Sequence, residues 1–202
     1  MDDTVITDSL NDYLNRSFKT VCEMIDDRNI KENYLKNITN NELNEFLKNN
    51  ENYIEMKINK DMLLLYYFQK VDSKNIEIIQ KIINNFSKDS DVKVILVTKD
   101  KIKSNNLKNI KEISNNIEIF NIKELLFNVY KHELVPKHEP ITDKDEINNL
   151  IKKYKLRNIH QFPLIMSKDP ICKYLNIPKN VLIKITRPSI TSGEYIVYRC
   201  VV

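Results

Sequence analysis

Leu10, Leu14, Phe18, Val21, Met24 and Ile25 recur at three- and four-residue spacing, which is one apolar stripe along a helix predicted over about residues 8–26. "TNNELNEFLKNN" follows, with Thr39 as N-cap and Glu42 three residues on. In such a capping box each side chain serves an otherwise orphaned first-turn N–H, so a short second helix starts there. The period then changes. "YIEMKINK" sets Ile54, Met56 and Ile58 between polar neighbours, and "MLLLYYF" at 62–68 is a continuous apolar run of strand length, predicted to be buried on both faces. Ser73 is predicted to cap a helix with Ile76, Ile79, Ile83 and Phe86 on one face. Further strands are expected at "VKVILV" (92–97) and "IEIF" (117–120), around a helical stretch. Strands alternating with helices imply an α/β layered unit over residues 1–127.

Beyond residue 127 the pattern differs. "LFNVY" and "HELVPKHE" read as extended, because Pro136 and Pro140 lack an N–H and hold the preceding residue out of the helical region. Thr142 or Asp143 opens a helix with an acidic first turn and Ile147, Leu150, Ile151 and Tyr154 inward. Asp169 caps a shorter helix with Pro170 at its first position and Ile171, Tyr174 and Leu175 inward. "VLIKITRPSITSGEYIVYRCVV" reads as two alternating strands about a turn holding Gly193, the only glycine among 202 residues. Its retention points to a backbone requiring positive φ. Residues 128–202 are therefore a small mixed α+β unit.

Charge supports the same division. Residues 128–202 hold 13 Lys+Arg against 7 Asp+Glu, a net of +6, whereas residues 1–127 hold 19 against 21, a net of −2. The basic half invites a nucleic-acid reading, but its lysines are scattered and form a solvated face more simply than a sequence-reading one. A hydrophobic fraction of 42% is enough for folded cores. The heavy use of Asn, Lys and Ile follows nucleotide composition, not chemistry. Cys22, Cys172 and Cys200 form no C-x-x-C pair and no disulfide framework, which fits a reducing intracellular compartment. The acidic start lacks the features of a signal peptide, and no apolar run reaches membrane-spanning length, so a soluble protein without a membrane partner is expected.

His132 and His138 raise the question of a metal. On an extended segment six residues apart they lie about 20 Å from one another, whereas two imidazoles on one zinc bring their nitrogens within about 3–4 Å. The spacing is also not that of H-E-x-x-H. No metal or cofactor is expected.

Read in order, "HELVPKHEPIT" (132–142), "YKLR" (154–157), "DP" (169–170) with Tyr174, "VLIKITRPS" (181–189) and "GEYIVYR" (193–199) closely resemble the C-terminal assembly domain of a small RNA polymerase subunit. In archaea that domain is the whole subunit, the counterpart of the fifth common subunit of eukaryotic polymerases. The likeness runs from His132 to Val202. Lys168, Ile190 and Leu164 depart from the usual glycine, acidic and basic residues of the family. By position and length, residues 1–127 resemble the jaw domain of the eukaryotic subunit. The resemblance implies an α/β/α jaw with restriction-endonuclease-like layers (1–127) and an assembly domain (128–202). It further implies a noncatalytic structural subunit, without catalytic residues of its own, that docks on the largest subunit and extends the jaw along downstream duplex DNA without reading its sequence. The location implied is the nucleus if the source is cellular, or a cytoplasmic factory or the virion if it is a large DNA virus.

Two alternatives stand beside this reading. "EMK" (55–57) is an E-x-K on a predicted strand, and with Asp26 or Asp27 upstream it is the minimal pattern of a metal-dependent nuclease. A stand-alone DNA-binding protein would use the basic half, though no helix-turn-helix or RNP pattern is present. One glycine excludes a P-loop or a glycine-rich phosphate cradle. The candidate partner-binding residues are Pro136, His138, Arg187, Pro188, Tyr198 and Arg199, with Gly193 as the structural turn. Arg187 and Arg199 either present guanidinium groups to a partner's carboxylates or carbonyls, or are edge-strand charges that discourage aggregation.

Overall fold

The structure is a computed structural model, described for residues 3–49, 52–86, 92–113 and 116–202. It divides into two compact units, 1–127 and 128–202, each with its own sheet and core.

In the first unit, helix α1 (Asp3–Asp27) starts about a turn earlier than the apolar stripe requires. Helix α2 (Asn40–Asn49) opens on the expected capping box: the Thr39 N–H donates to Glu42 Oε2 at 2.7 Å, and the Glu42 N–H donates to Thr39 Oγ1 at 3.4 Å. Strands β1 (Tyr53–Asn59), β2 (Met62–Tyr67), β3 (Lys93–Thr98) and β4 (Ile117–Asn121) lie in sequence order; β1 is antiparallel to β2, and the other pairings are parallel. Helices α3 (Ser73–Phe86) and α4 (Ser104–Ile113) make the crossovers. The cap of α3 is Asp72 and not Ser73, since the Asp72 carbonyl accepts the first helical bond, from the Ile76 N–H. The side chain of Phe86 lies outside the described residues.

Side-chain alternation sorts the layers. Leu63, Leu65, Tyr67, Val94 and Leu96 pack with Ile76, Ile79, Ile83 and Ile110 from α3 and α4. On the opposite face Tyr66, fully buried, meets α1, where its hydroxyl lies 3.1 Å from Ser17 Oγ. Because both faces are covered, β2 is buried at every position and reads as an unbroken apolar run. Just past α1, Arg28 makes a bidentate pair with Glu118 of β4 at 3.1 and 2.7 Å, with only 6% and 17% of the two side chains exposed.

The second unit has strands β5 (Lys137–Ile141), β6 (Leu164–Ile165), β7 (Leu182–Ser189) and β8 (Gly193–Val201), in the spatial order β5-β7-β8-β6. Helix α5 (Lys144–Lys153), capped by Asp143, covers one face through Leu150; Ile141, Phe162, Leu182 and Cys200 join that core. Helix α6 (Pro170–Tyr174), capped by Asp169 with Pro170 first, covers the other face; Ile165, Cys172, Ile177, Ile183, Ile185 and Val201 form the core there. The expectation of an extended segment before β5 is corrected. Residues 129–135 are turns, closed by His132 N–H to Val129 O and Val135 N–H to His132 O, and regular strand begins only at Lys137. The physical reason is local packing that prolines do not encode: Tyr130 stacks on Tyr174 with centroids 5.6 Å apart, and Asn128 Nδ2 donates to the Tyr174 hydroxyl. Among the described residues no helix is long and apolar enough to cross a membrane.

Candidate partner-docking surface

The last hairpin pairs Leu182 with Cys200 through to Ser189 with Gly193. Gly193 has φ +74°, and nothing lies within 4 Å of where a Cβ would stand, so glycine serves the backbone conformation and not the space. Elsewhere Asn29, Asn176 and Asn180, together with Glu32 and Lys155, adopt positive φ, so most of the other left-handed positions fall to Asn.

Register and bonding fix which groups point where. Val201 N–H donates to Val181 O, toward β7, whereas Cys200 and Val202 donate to Pro163 O and Ile165 O on the β6 side. Alternation then directs the backbone groups of Tyr195, Val197 and Arg199 at β7, and those of Glu194, Ile196 and Tyr198 away from it. By the same rule the side without an N–H at Pro188 faces away from β8, beyond the end of β5, and that of Pro140 faces the outer edge of β5. Both prolines therefore sit where a strand tolerates them.

His138 (opposite Ile185), Arg187 (opposite Tyr195) and Arg199 (opposite Ile183) fall on the α6 face of the sheet. Arg187 and Arg199 are separated by four register steps, roughly 13 Å, and act at two ends of the hairpin. Arg187 is exposed, while Arg199 is half-buried, with Nη1 donating to Leu164 O at 3.2 Å and its buried Nε without an acceptor among the described residues. His138 is 7% exposed, and its Nδ1 lies 2.6 Å from Pro136 O. A carbonyl only accepts, so Nδ1 carries the proton and ties the ring to the chain entering β5. Pro188 and Tyr198 fall on the α5 face. There Tyr198 meets Tyr154 and Phe162 edge-on or tilted at 6.0 and 6.1 Å, and burial raises the pKa of its hydroxyl. Five of the six candidates thus divide between two faces, and Pro136 precedes β5 and lies on neither.

The nuclease constellation is not assembled. Glu55 and Lys57 flank buried Met56 and are exposed on β1, opposite Leu65 and Leu63, which is the α3/α4 face. Asp26 lies at the end of α1, against the other face, where it pairs with Lys36 at 2.9 Å. The sheet separates the two halves of the pattern. Among the described residues no group of three His, Cys, Asp or Glu could hold a metal. His132 is exposed, and its Nδ1 accepts the Leu134 N–H.

Two features escape sequence reasoning. On the α5 face Lys137 pairs with Glu139 at 2.7 Å, with Lys184 opposite, and these cations hold the Glu139 carboxyl below its ordinary pKa. Only the strand pairing brings Lys184 there. In the first unit a crevice of about 370 Å³ opens beside the carboxyl ends of β3 and β4, lined by Lys99, Asp100, Lys101, Asn121, Lys123 and Glu124. Parallel sheets commonly hold ligands at such an edge.

Residues 127–201 match the family model of the RNA polymerase Rpb5 C-terminal domain. The C-terminal unit is similar to that domain over its length, and the proteins it resembles there are named as subunits of eukaryotic RNA polymerases. It is 37% identical over 108 residues to DNA-directed RNA polymerases IV and V subunit 5B of Arabidopsis thaliana, covering 54% of this chain and 49% of the plant protein. It is 43% identical over 83 residues to DNA-directed RNA polymerases I, II, and III subunit rpabc1 of Dictyostelium discoideum, covering 41% of each. To the RPABC1 subunit of Caenorhabditis elegans it is 41% identical over 86 residues, covering 43% of this chain and 40% of the relative. The chain therefore spans about half, or less, of the length of the curated relatives it matches.

Proposed function

We propose that this chain is a noncatalytic structural subunit of a DNA-directed RNA polymerase. Residues 128–202 are its assembly domain and dock on the largest subunit through Pro136, His138, Arg187, Pro188, Tyr198 and Arg199. Residues 1–127 are a jaw domain that extends the wall along downstream DNA. The observation that carries this reading is the Rpb5 C-terminal-domain match over the whole basic unit, in relatives named as polymerase subunits. Arg187, exposed and without an ion pair among the described residues, supports docking by charge-assisted bonds. The lysines at 99, 101 and 123 support backbone contact to DNA without base readout. Neither the nuclease nor the stand-alone DNA-binding alternative gains support, and no cofactor enters the reading. The location is the nucleus in a cellular source, or the viral factory or virion in a viral one.

The deciding experiment is purification of the tagged chain from its native source with identification of the co-purifying chains. The two largest polymerase subunits at equal stoichiometry are expected; a free monomer would overturn the reading. Arg187→Ala with Arg199→Ala is expected to weaken recovery of the largest subunit by about tenfold or more, from two lost charged contacts. Because Arg199 also holds Leu164 O, Arg187→Ala alone separates lost docking from a loosened β6.

A further inference from the structure

The hairpin carries one sheet edge that nothing protects among the described residues. The outer edge of β5 is interrupted by Pro140, and the edge of β7 beyond Thr186 by Pro188. The base of β8 is covered by β6, which pairs only with Cys200 and Val201. From Glu194 to Tyr198, β8 has no strand on its outer side among the described residues, and the backbone groups of Glu194, Ile196 and Tyr198 point out of it. The Glu194 carbonyl accepts from Ser192 Oγ; the amide of Ile196 meets no acceptor among the described residues. From Tyr195 to Tyr198 the side chains along this edge are apolar on both faces, with Glu194 the one charge, at the hairpin tip: Tyr195 is 59% and Ile196 40% exposed, with Val197 and Tyr198 half-buried. An exposed apolar edge without proline, inward charge or bulge is what proteins avoid unless another strand covers it.

We infer that β8 accepts an extended segment of a partner polymerase chain as an added strand along residues 194–198. This deepens the proposed docking function and rests on it. The chemistry of the occupant follows from the edge. Its backbone bonds Ile196 and Tyr198, and apolar side chains at alternate positions cover Tyr195 and Ile196. An acidic residue lies beside Arg199, which has no carboxylate partner among the described residues and whose only bonded donor there, Nη1, is on Leu164 O. The net charge of +6 over residues 128–202 favours an acidic segment over a second copy of this chain, which would bring two like net charges together.

The test is amide hydrogen exchange on the full-length wild-type chain, free and within the purified polymerase, beside the variant Ile196→Pro. Proline at 196 removes only an outward N–H, so the hairpin with β7 survives, whereas an incoming strand is blocked. The amides of Ile196 and Tyr198 are expected to exchange freely in the isolated chain and to be protected in the complex. Ile196→Pro is expected to recover the largest subunit at a level reduced by about tenfold, from one lost backbone bond and a steric clash. Wild-type amides that stay unprotected in the complex overturn strand addition, whether or not the variant folds. So does a folded Ile196→Pro chain recovered with polymerase at the wild-type level. Protection in the free chain that rises with its concentration would assign the edge to a homodimer instead. A wild-type chain that brings down no polymerase subunit defeats the underlying functional reading, an outcome distinct from all of these.

Discussion

The two four-stranded sheets of this protein are finished differently. In the first unit α1, α3 and α4 cover both faces, and β2 and β3 are buried almost end to end. In the second, β8 runs from exposed at Gly193 to fully buried at Val201. The cause is helix length. The ten residues of α5 reach about 15 Å and the five of α6 less, against about 30 Å for the nine residues of β8, so the helices cover only the base of the hairpin. A sheet that outruns its helices leaves half a hairpin for something else to cover. The first unit satisfies its own core; the second leaves the far half of its hairpin exposed.

That contrast is most severely tested at Arg28 and Glu118. Because the pair is nearly buried, Arg28→Ala removes the guanidinium bonded to Glu118 and is expected to destabilise the first unit by about 3–5 kcal/mol. Chemical denaturation measures it, and residue-level exchange should show the amides of β7 and β8 unaffected. A loss spread equally over both units would erase the distinction between them.

At the hairpin, Gly193→Val is expected to cost about 1–3 kcal/mol, all of it conformational since the site is open, and to lower the melting of the second unit. Gly193→Asn should be milder, as Asn already occupies the left-handed region at 29, 176 and 180. Equal stability of the three chains would show that the turn needs no special backbone.

Comparable in size is an asymmetry inside the first core. Ser17 Oγ donates to Leu14 O, so the Tyr66 hydroxyl is the donor of their mutual bond. Ser17→Ala orphans a fully buried O–H and is expected to cost about 2–3 kcal/mol, while Tyr66→Phe leaves Ser17's donor satisfied and costs about 1 kcal/mol. Thermal melts of the two variants give the order; the reverse order would contradict the donor assignment.

The smallest effect is at the α2 capping box. Bonds from Thr39 hold the Glu42 carboxyl below its ordinary pKa, so its folded-state value lies below its unfolded one. The contribution is present above the ordinary glutamate range and is lost as pH falls through the depressed value. A pH series comparing Glu42→Gln with the native chain should show a gap that closes on acidification.

Much of this was legible in residue order. Periodicity located α1, the buried run of β2 and, to within a residue, the strands at 93–98 and 117–121; Thr39 and Asp169 marked helix starts, and Thr142 or Asp143 the start of α5; the motifs from His132 onward carried the polymerase resemblance. These are local signals, readable wherever the chemistry of a few neighbours decides the backbone. The turn at 129–135 was not legible, because stacking of Tyr130 on Tyr174 reaches between segments far apart in the chain. The faces of the candidate residues were equally hidden: Arg187 and Arg199 share one side of the sheet while Tyr198 joins Tyr154 and Phe162 on the other. Pairing register sets those faces, and register comes from contacts between distant segments. Residue order was enough for most of the elements, though not for β6 or the turn at 129–135, and for the two-part charge and the lone turn glycine. Which strand edge the prolines close and which stays open had to wait for the folded chain, because an edge exists only once strands have found their neighbours.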